Sequence, residues 1–242
     1  MSLVETDWLE NNKDKVKIID CSWHMPQTKR NGFEEYKTQH IPESIFFDLD
    51  DNSDKNTNLP HMLVNKNEWE KIVSKMGIKN EDMIIIYDNS DVVSSCRCWF
   101  NFIYYGHDPK LVHVLNGGLK KWLEEKRKVT NNLSKVMKSD YKSFENQELV
   151  KNKDSINQNI ETQNFRVVDA RSKERFEGKV PEPREGLKSG NIKIIDIVLV
   201  DLFILFKLTR IQPKSHHKYR VDIYHLSFLR KIEKFFQVLV YF

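Results

Sequence analysis

Apolar residues in the first 125 positions fall into two kinds of run. Short apolar stretches, each closed by an acid or a turn, predict buried strands over 16–20, 44–48, 83–87 and 111–115. Between them, apolar residues spaced three or four apart predict helices over 3–12, 33–39, 65–76, from Ser94 or Ser95 to about Tyr105, and 119–125. The punctuation agrees with this division. His40-Ile41-Pro42 ends one helix, because proline lacks the N–H that the next turn would need. Asn65 with Glu68 three residues on marks a helix start, and Gly77 marks its stop. Strands that alternate with helices in this way predict an α/β fold with a parallel sheet covered on both faces.

The pattern weakens after residue 130. Residues 131–164 are rich in Lys, Asn, Ser and Gln with no sustained apolar period, which predicts a polar linker with room for one short helix and a domain boundary inside it. Beyond it, Phe165-Arg166-Val167-Val168-Asp169-Ala170-Arg171 repeats Val16-Lys17-Ile18-Ile19-Asp20-Cys21-Ser22, with the two aspartates 149 positions apart. Phe176 then answers Phe33, and Gly190-Asn191-Ile192 stands where Gln39-His40-Ile41 stood. From Ile194 onward the correspondence stops, and 194–242 reads as an unrelated apolar and basic tail. Its apolar start holds Asp196 and Asp201 and ends at Lys207, short of the ~20 apolar residues of a spanning helix, so no membrane span is expected.

Charge adds one constraint. The net charge is +4, and residues 194–242 carry eight Lys or Arg against four Asp or Glu, so the first 193 residues are neutral. A neutral body argues against nucleic acid as the main partner, since duplex binding rests on many phosphate contacts from a basic face. The apolar fraction of 39% is enough for an ordinary core. Three cysteines, Cys21, Cys96 and Cys98, form no paired framework, and Thr6, Asp7 and Glu10 interrupt any secretory leader, so a reducing cytoplasmic setting is expected, with a mitochondrial one left open.

Several motifs together resemble the two-domain rhodaneses, the family of thiosulfate and 3-mercaptopyruvate sulfurtransferases. Asp20-Cys21-Ser22-Trp23 with Pro26, His40-Ile41-Pro42 before Phe46-Phe47-Asp48, Tyr87-Asp88 and Arg97-Cys98-Trp99-Phe100 are similar to that family's first domain. Tyr105-Gly106-His107, Val114-Leu115-Asn116-Gly117-Gly118 and Trp122 extend the likeness to about Val129. In the second copy, Asp169-Ala170-Arg171, Arg175-Phe176 and the segment from Pro181 to Leu187 resemble the start of the catalytic domain. The resemblance implies sulfur transfer from thiosulfate or 3-mercaptopyruvate to a thiol or cyanide acceptor. It also implies a cysteine persulfide at a strand end, stabilised by loop N–H groups and a helix N-terminus, and no cofactor.

The same resemblance exposes what is missing. The strand end of the first copy carries Asp88, which cannot hold the sulfur, and no cysteine follows Cys98. The second copy also departs from the first at Asn191 and Lys193, where His40 and Pro42 stand. Activity is therefore expected to be absent or very low, and the second copy to be truncated or degenerate, because the nucleophile is a chemical requirement. Cys96 and Cys98 are weak catalytic candidates near a helix start; core packing is the competing reading, and one-residue spacing makes them a poor metal pair. By resemblance, Arg184 and, less directly, Arg175 would clamp an anionic donor, while Arg175 could instead pair with Glu177 or Glu182. His40 could reach substrate or simply end its helix. Asp20 and Asp169 should satisfy backbone N–H groups, and His216-His217 lacks the partners of a metal site.

The expected architecture is thus a rhodanese-like domain of the non-catalytic type over 1–130, a linker over 131–164, the start of a second such domain over 165–193, and the tail. The alternative from another class is a non-catalytic protein-binding module or a gene fragment. In that reading the acidic loop with Asp88 and Asp91 would favour a basic partner.

Overall fold

A computed structural model of the chain describes residues 3–169, 171–183, 186–192 and 195–197, the last three and Val168 by backbone alone. Two compact units meet at Asn146 and Gln147. Arg184, His216-His217 and nearly all of 194–242 lie outside the described residues.

The first unit is a parallel five-stranded sheet with flanking helices. Its strands are β1 (Leu3–Val4), β2 (Lys17–Asp20), β3 (Ser44–Phe46), β4 (Ile84–Tyr87) and β5 (Val112–Leu115), in the order β1-β5-β4-β2-β3. Its helices are α1 (Thr6–Asn12), α2 (Gly32–Thr38), α3 (Lys66–Lys75), α4 (Ser94–Tyr104) and α5 (Gly118–Glu124). All four residues of β4 are buried, as a central parallel strand covered on both faces requires.

One face of the sheet feeds one core. Ile18, Ile85, Tyr87 and Leu115 pack with Leu9 of α1 and with Leu119 and Trp122 of α5. A separate aromatic cluster joins α3 to α4: Trp69 stacks on Tyr105 at 4.5 Å and meets Phe102 edge-on at 5.2 Å.

Three local features differ from the sequence expectations. The first predicted helix begins at Thr6, not Leu3, because Leu3 and Val4 pair with Val114 and Leu115 and complete the edge of β5. Neither Ser94 nor Ser95 caps α4. Val93 occupies that position in the left-handed region at φ 53°, while the Ser94 hydroxyl donates to the Cys21 carbonyl at 2.5 Å. Residues 131–146, though polar, run back along the unit. Tyr141 is buried against His107, and Ser139 and Tyr141 bond to Ser74 through backbone N–H groups.

The second unit holds α6 (Lys153–Thr162), β6 (Val167–Asp169), α7 (Lys173–Phe176) and β7 (Ile195–Ile197). β6 and β7 are parallel, with Asp169 opposite Ile197. In the first unit, Asp20 stands opposite Phe46 between β2 and β3 in the same way.

Candidate functional site

In an open parallel sheet, ligand chemistry gathers beyond the carboxyl ends of the strands. Here β2 ends on Asp20 and β4 leads into Asp88, and both carboxyl groups are buried. Asp88 accepts the Ser90 N–H at one oxygen, 3.0 Å, and the Ser95 N–H at the other, 2.8 Å. Its carboxylate thus serves the first turn of α4 in place of a capping serine. The Asp88 carbonyl accepts from Leu119 N–H at 3.0 Å, an approach open only because Gly118 has no side chain: a Cβ there would lie 2.4 Å from that oxygen.

The loop between Asp88 and Ser94 is held from the β2 side. Asp20 accepts the backbone N–H of Ser22 at 2.9 Å and its hydroxyl at 2.6 Å, and the Ser22 hydroxyl accepts Asn89 N–H at 2.8 Å. The Ser90 hydroxyl donates to the Trp23 carbonyl at 2.5 Å, and Trp23 N–H points back at the Ser90 and Ser94 hydroxyls. Burial pushes the Asp20 carboxyl up to about 6, against the lowering pull of the Ser22 and Tyr87 bonds and with the Asp88 charge adding to the rise. Over the loop, Arg30 forms a bidentate pair with Glu35 at 2.7 Å, and Asn89 donates to Glu35 at 3.1 Å.

The cysteines divide by exposure. Cys96 is exposed in the first turn of α4, while Cys98 and Cys21 are buried. Burial, with Cys98 and the Asp88 and Asp20 charges alongside, pushes the Cys21 thiol well up, the opposite of an activated nucleophile. Cys98 is fully buried on α4.

His40 is fully buried. Its ring stacks on Tyr36 at 4.0 Å, and its two nitrogens face the Tyr36 and Asn132 carbonyls at 2.6 and 3.2 Å. Both ring nitrogens thus bond to backbone carbonyls of the first unit. In the second unit, Arg175 pairs with Glu182 at 2.5 Å, and Arg171 bridges Glu182 and Asp169 at 2.7 and 2.6 Å. The Arg175 and Arg171 guanidiniums hold Glu182 below the usual carboxylate range. The roles of Ser22, Asn89, Ser90 and Ser95 were not visible in the sequence. Small polar residues around a strand end are common in any loop, and only the fold brings 22 beside 89. Among the described residues, no group of His, Cys, Asp and Glu is placed to hold a metal ion, and no helix is long and apolar enough to cross a membrane.

An Asp-ended strand, a short loop and a helix start that converges on the buried carboxylate reproduce the arrangement the motifs suggested, and the family comparison agrees: the Rhodanese-like domain family matches residues 5–125. The chain belongs to the rhodanese family. Its relatives carry sulfurtransferase names. It is 37% identical to thiosulfate/3-mercaptopyruvate sulfurtransferase 1, mitochondrial, of Arabidopsis thaliana, over 78% of this chain and 56% of that protein. It is 34% identical to the thiosulfate sulfurtransferase of Bos taurus, over 79% of this chain and 67% of that protein. Among solved structures, a 3-mercaptopyruvate sulfotransferase of Escherichia coli superposes with a TM-score of 0.74 at 25% identity, covering 90% of this chain and 79% of that one. The matched region spans 56% and 62% of the length of two Arabidopsis sulfurtransferases. This rhodanese therefore shares fold and family with them over part of their length.

Proposed function

We propose that the chain is a sulfurtransferase of the thiosulfate and 3-mercaptopyruvate class by descent, with a non-catalytic first unit and an incomplete second copy, and that by itself it turns over little or no sulfur donor. The family reaction would pass a sulfur atom from a small anionic donor, through a cysteine persulfide, to a thiol, protein or cyanide acceptor. The observation that carries the reading is Asp88: a buried carboxylate, bonded to Ser90 and Ser95 N–H, fills the strand-end position where the persulfide chemistry would need a thiol. The buried Cys21 and Cys98 do not replace it, and no cysteine follows Cys98.

The second copy is supported by the shared register of β2 with β3 and of β6 with β7, in which Asp20 and Asp169 hold equivalent places. Within it, Arg175 and Arg184 are proposed as the donor clamp. Glu182 holds Arg175 in the absence of donor, so an anion would have to compete with that carboxylate. A cytoplasmic location rests on three cysteines that form no disulfide, and the mitochondrial name of the Arabidopsis relative supports the other compartment.

The test is a sulfurtransferase assay on the purified chain with thiosulfate and with 3-mercaptopyruvate, beside a Cys96→Ser, Cys98→Ser double variant. No turnover in either protein, with native fluorescence, agrees with the proposal. Turnover that disappears in the double variant would make the first unit catalytic and overturn it.

A further inference from the structure

We infer that Cys21 and Cys98 form a buried dithiol that a peroxide closes to a disulfide, which fastens the end of β2 to α4 and makes the first unit redox-sensitive. The inference goes beyond the function proposed above and does not rest on it, since neither thiol takes part in sulfur transfer there.

The two side chains come from elements 77 positions apart and meet at one point. Cys21 follows β2, where its N–H donates to the Tyr87 carbonyl at 2.9 Å and its carbonyl accepts the Ser94 hydroxyl at 2.5 Å. Its thiol donates in turn to the Ser94 carbonyl at 3.7 Å. In an α-helix that carbonyl is the partner of the N–H four residues on, which is that of Cys98. The Cys98 side chain is in hydrogen-bond contact with the Cys21 thiol, and both residues are 0% exposed. Two sulfurs held in contact from a strand end and a helix need little chain movement to join.

Charge decides what such a pair can do. The buried Asp20 and Asp88 carboxyls oppose a thiolate at Cys21. A soft monovalent metal ion held between two thiolates would leave a net negative charge beside them, and among the described residues no group of three His, Cys, Asp or Glu is placed to hold a metal. A disulfide leaves no charge, because both thiol protons depart. As thiols the two gain little from each other, since S–H is a weak donor and reactivity more than packing sets a cysteine apart.

The oxidant is a peroxide. One sulfur, as its thiolate, attacks a peroxide oxygen: an S–O bond forms, the O–O bond breaks and, with hydrogen peroxide, water leaves. The other sulfur attacks the sulfenic acid so formed: the S–S bond forms, the S–O bond breaks and a second water leaves. Two thiols are oxidised, one peroxide is reduced by two electrons, and both thiol protons end in water. Entry is from the start of α4. Val93, just before it, holds a φ of 53° that is unfavourable for a β-branched residue, so opening at this point relieves strain.

The experiment uses the full wild-type chain, treated with hydrogen peroxide at neutral pH in the absence of denaturant. Remaining thiols are then alkylated with iodoacetamide in urea, and intact mass with non-reducing peptide maps locates the bond. Closure predicts a chain that has lost two hydrogen atoms, with Cys21 joined to Cys98 and Cys96 outside the bond. Because the bond closes a long loop in the unfolded chain, the urea midpoint read by tryptophan fluorescence should rise by about 1 M or more. Dithiothreitol should return it to its starting value. Alkylation of both Cys21 and Cys98, a bond that uses Cys96 or a second chain, or sulfinic or sulfonic acid at either buried cysteine overturns the inference. So does a bond between Cys21 and Cys98 that lowers the midpoint or leaves it unchanged, or loss of native fluorescence under peroxide. No variant is needed, so a failure to fold cannot obscure the result. No sulfur donor is present either, so the two proposals fail separately.

Discussion

Asp20→Asn should stabilise the first unit at neutral pH and destabilise it in acid. Asp20 is 1% exposed and its carboxyl is pushed up to about 6 from 3.8, chiefly by burial. Between those two values the folded protein binds more protons than the unfolded chain, so this group's contribution is fully present below about pH 4 and is lost as pH rises through 6. At 1.36 kcal/mol per unit, about two units give a cost of roughly 3 kcal/mol at pH 7. Asparagine keeps the oxygen that accepts both Ser22 bonds and removes the titration. It forfeits the bond from Tyr87, about 1 kcal/mol. The expected difference, variant against wild type, is a gain of about 2 kcal/mol at pH 7 and a loss of about 1 kcal/mol at pH 4. Urea unfolding at pH 4, 5, 6 and 7 measures it, and all five tryptophans lie before residue 147, so fluorescence reports the first unit alone. A difference that stays constant across the four pH values would refute the reasoning, whatever its sign.

Trp69→Ala should cost about 3–5 kcal/mol, because its fully buried ring joins Tyr105, Phe102 and Phe47; urea midpoints check this. Asn65→Ala should cost about 1 kcal/mol, the value of a side-chain cap on the Glu68 N–H, and Asn65→Asp should recover most of it in the same measurement. Gly118→Ala should cost about 1–3 kcal/mol from its positive φ alone, with more from the clash at the Asp88 carbonyl, and should raise amide exchange at Leu119. In native protein, iodoacetamide should label Cys96 only, with Cys21 and Cys98 reacting after unfolding; native labelling of Cys98 would contradict its burial.

What the sequence disclosed and what it withheld follow one physical rule. β2 and β4 were legible because a central parallel strand must be apolar on both faces, and few other structures demand Ile84-Ile85-Ile86 in a row. The cap at Asn65 was legible because its partner lies three residues away. Features decided by distant residues were not legible. Leu3 and Val4 are a strand only because β5 leaves an edge open, and Tyr141 is core only because His107 waits for it. Val93 belongs to the same group. A β-branched residue in the left-handed region is unfavourable on local grounds, so nothing in the run Asp91-Val92-Val93-Ser94 announces it. It is held there by bonds from both sides: Ser94 to Cys21 across the sheet end, and Ser95 to Asp88. The candidate site is therefore readable as a position, Asp88 after β4, while its geometry arises from contacts 67 to 73 residues apart. The folded loop, with Ser90 and Ser95 N–H groups on its two oxygens, explains why a buried carboxylate is stable in that place.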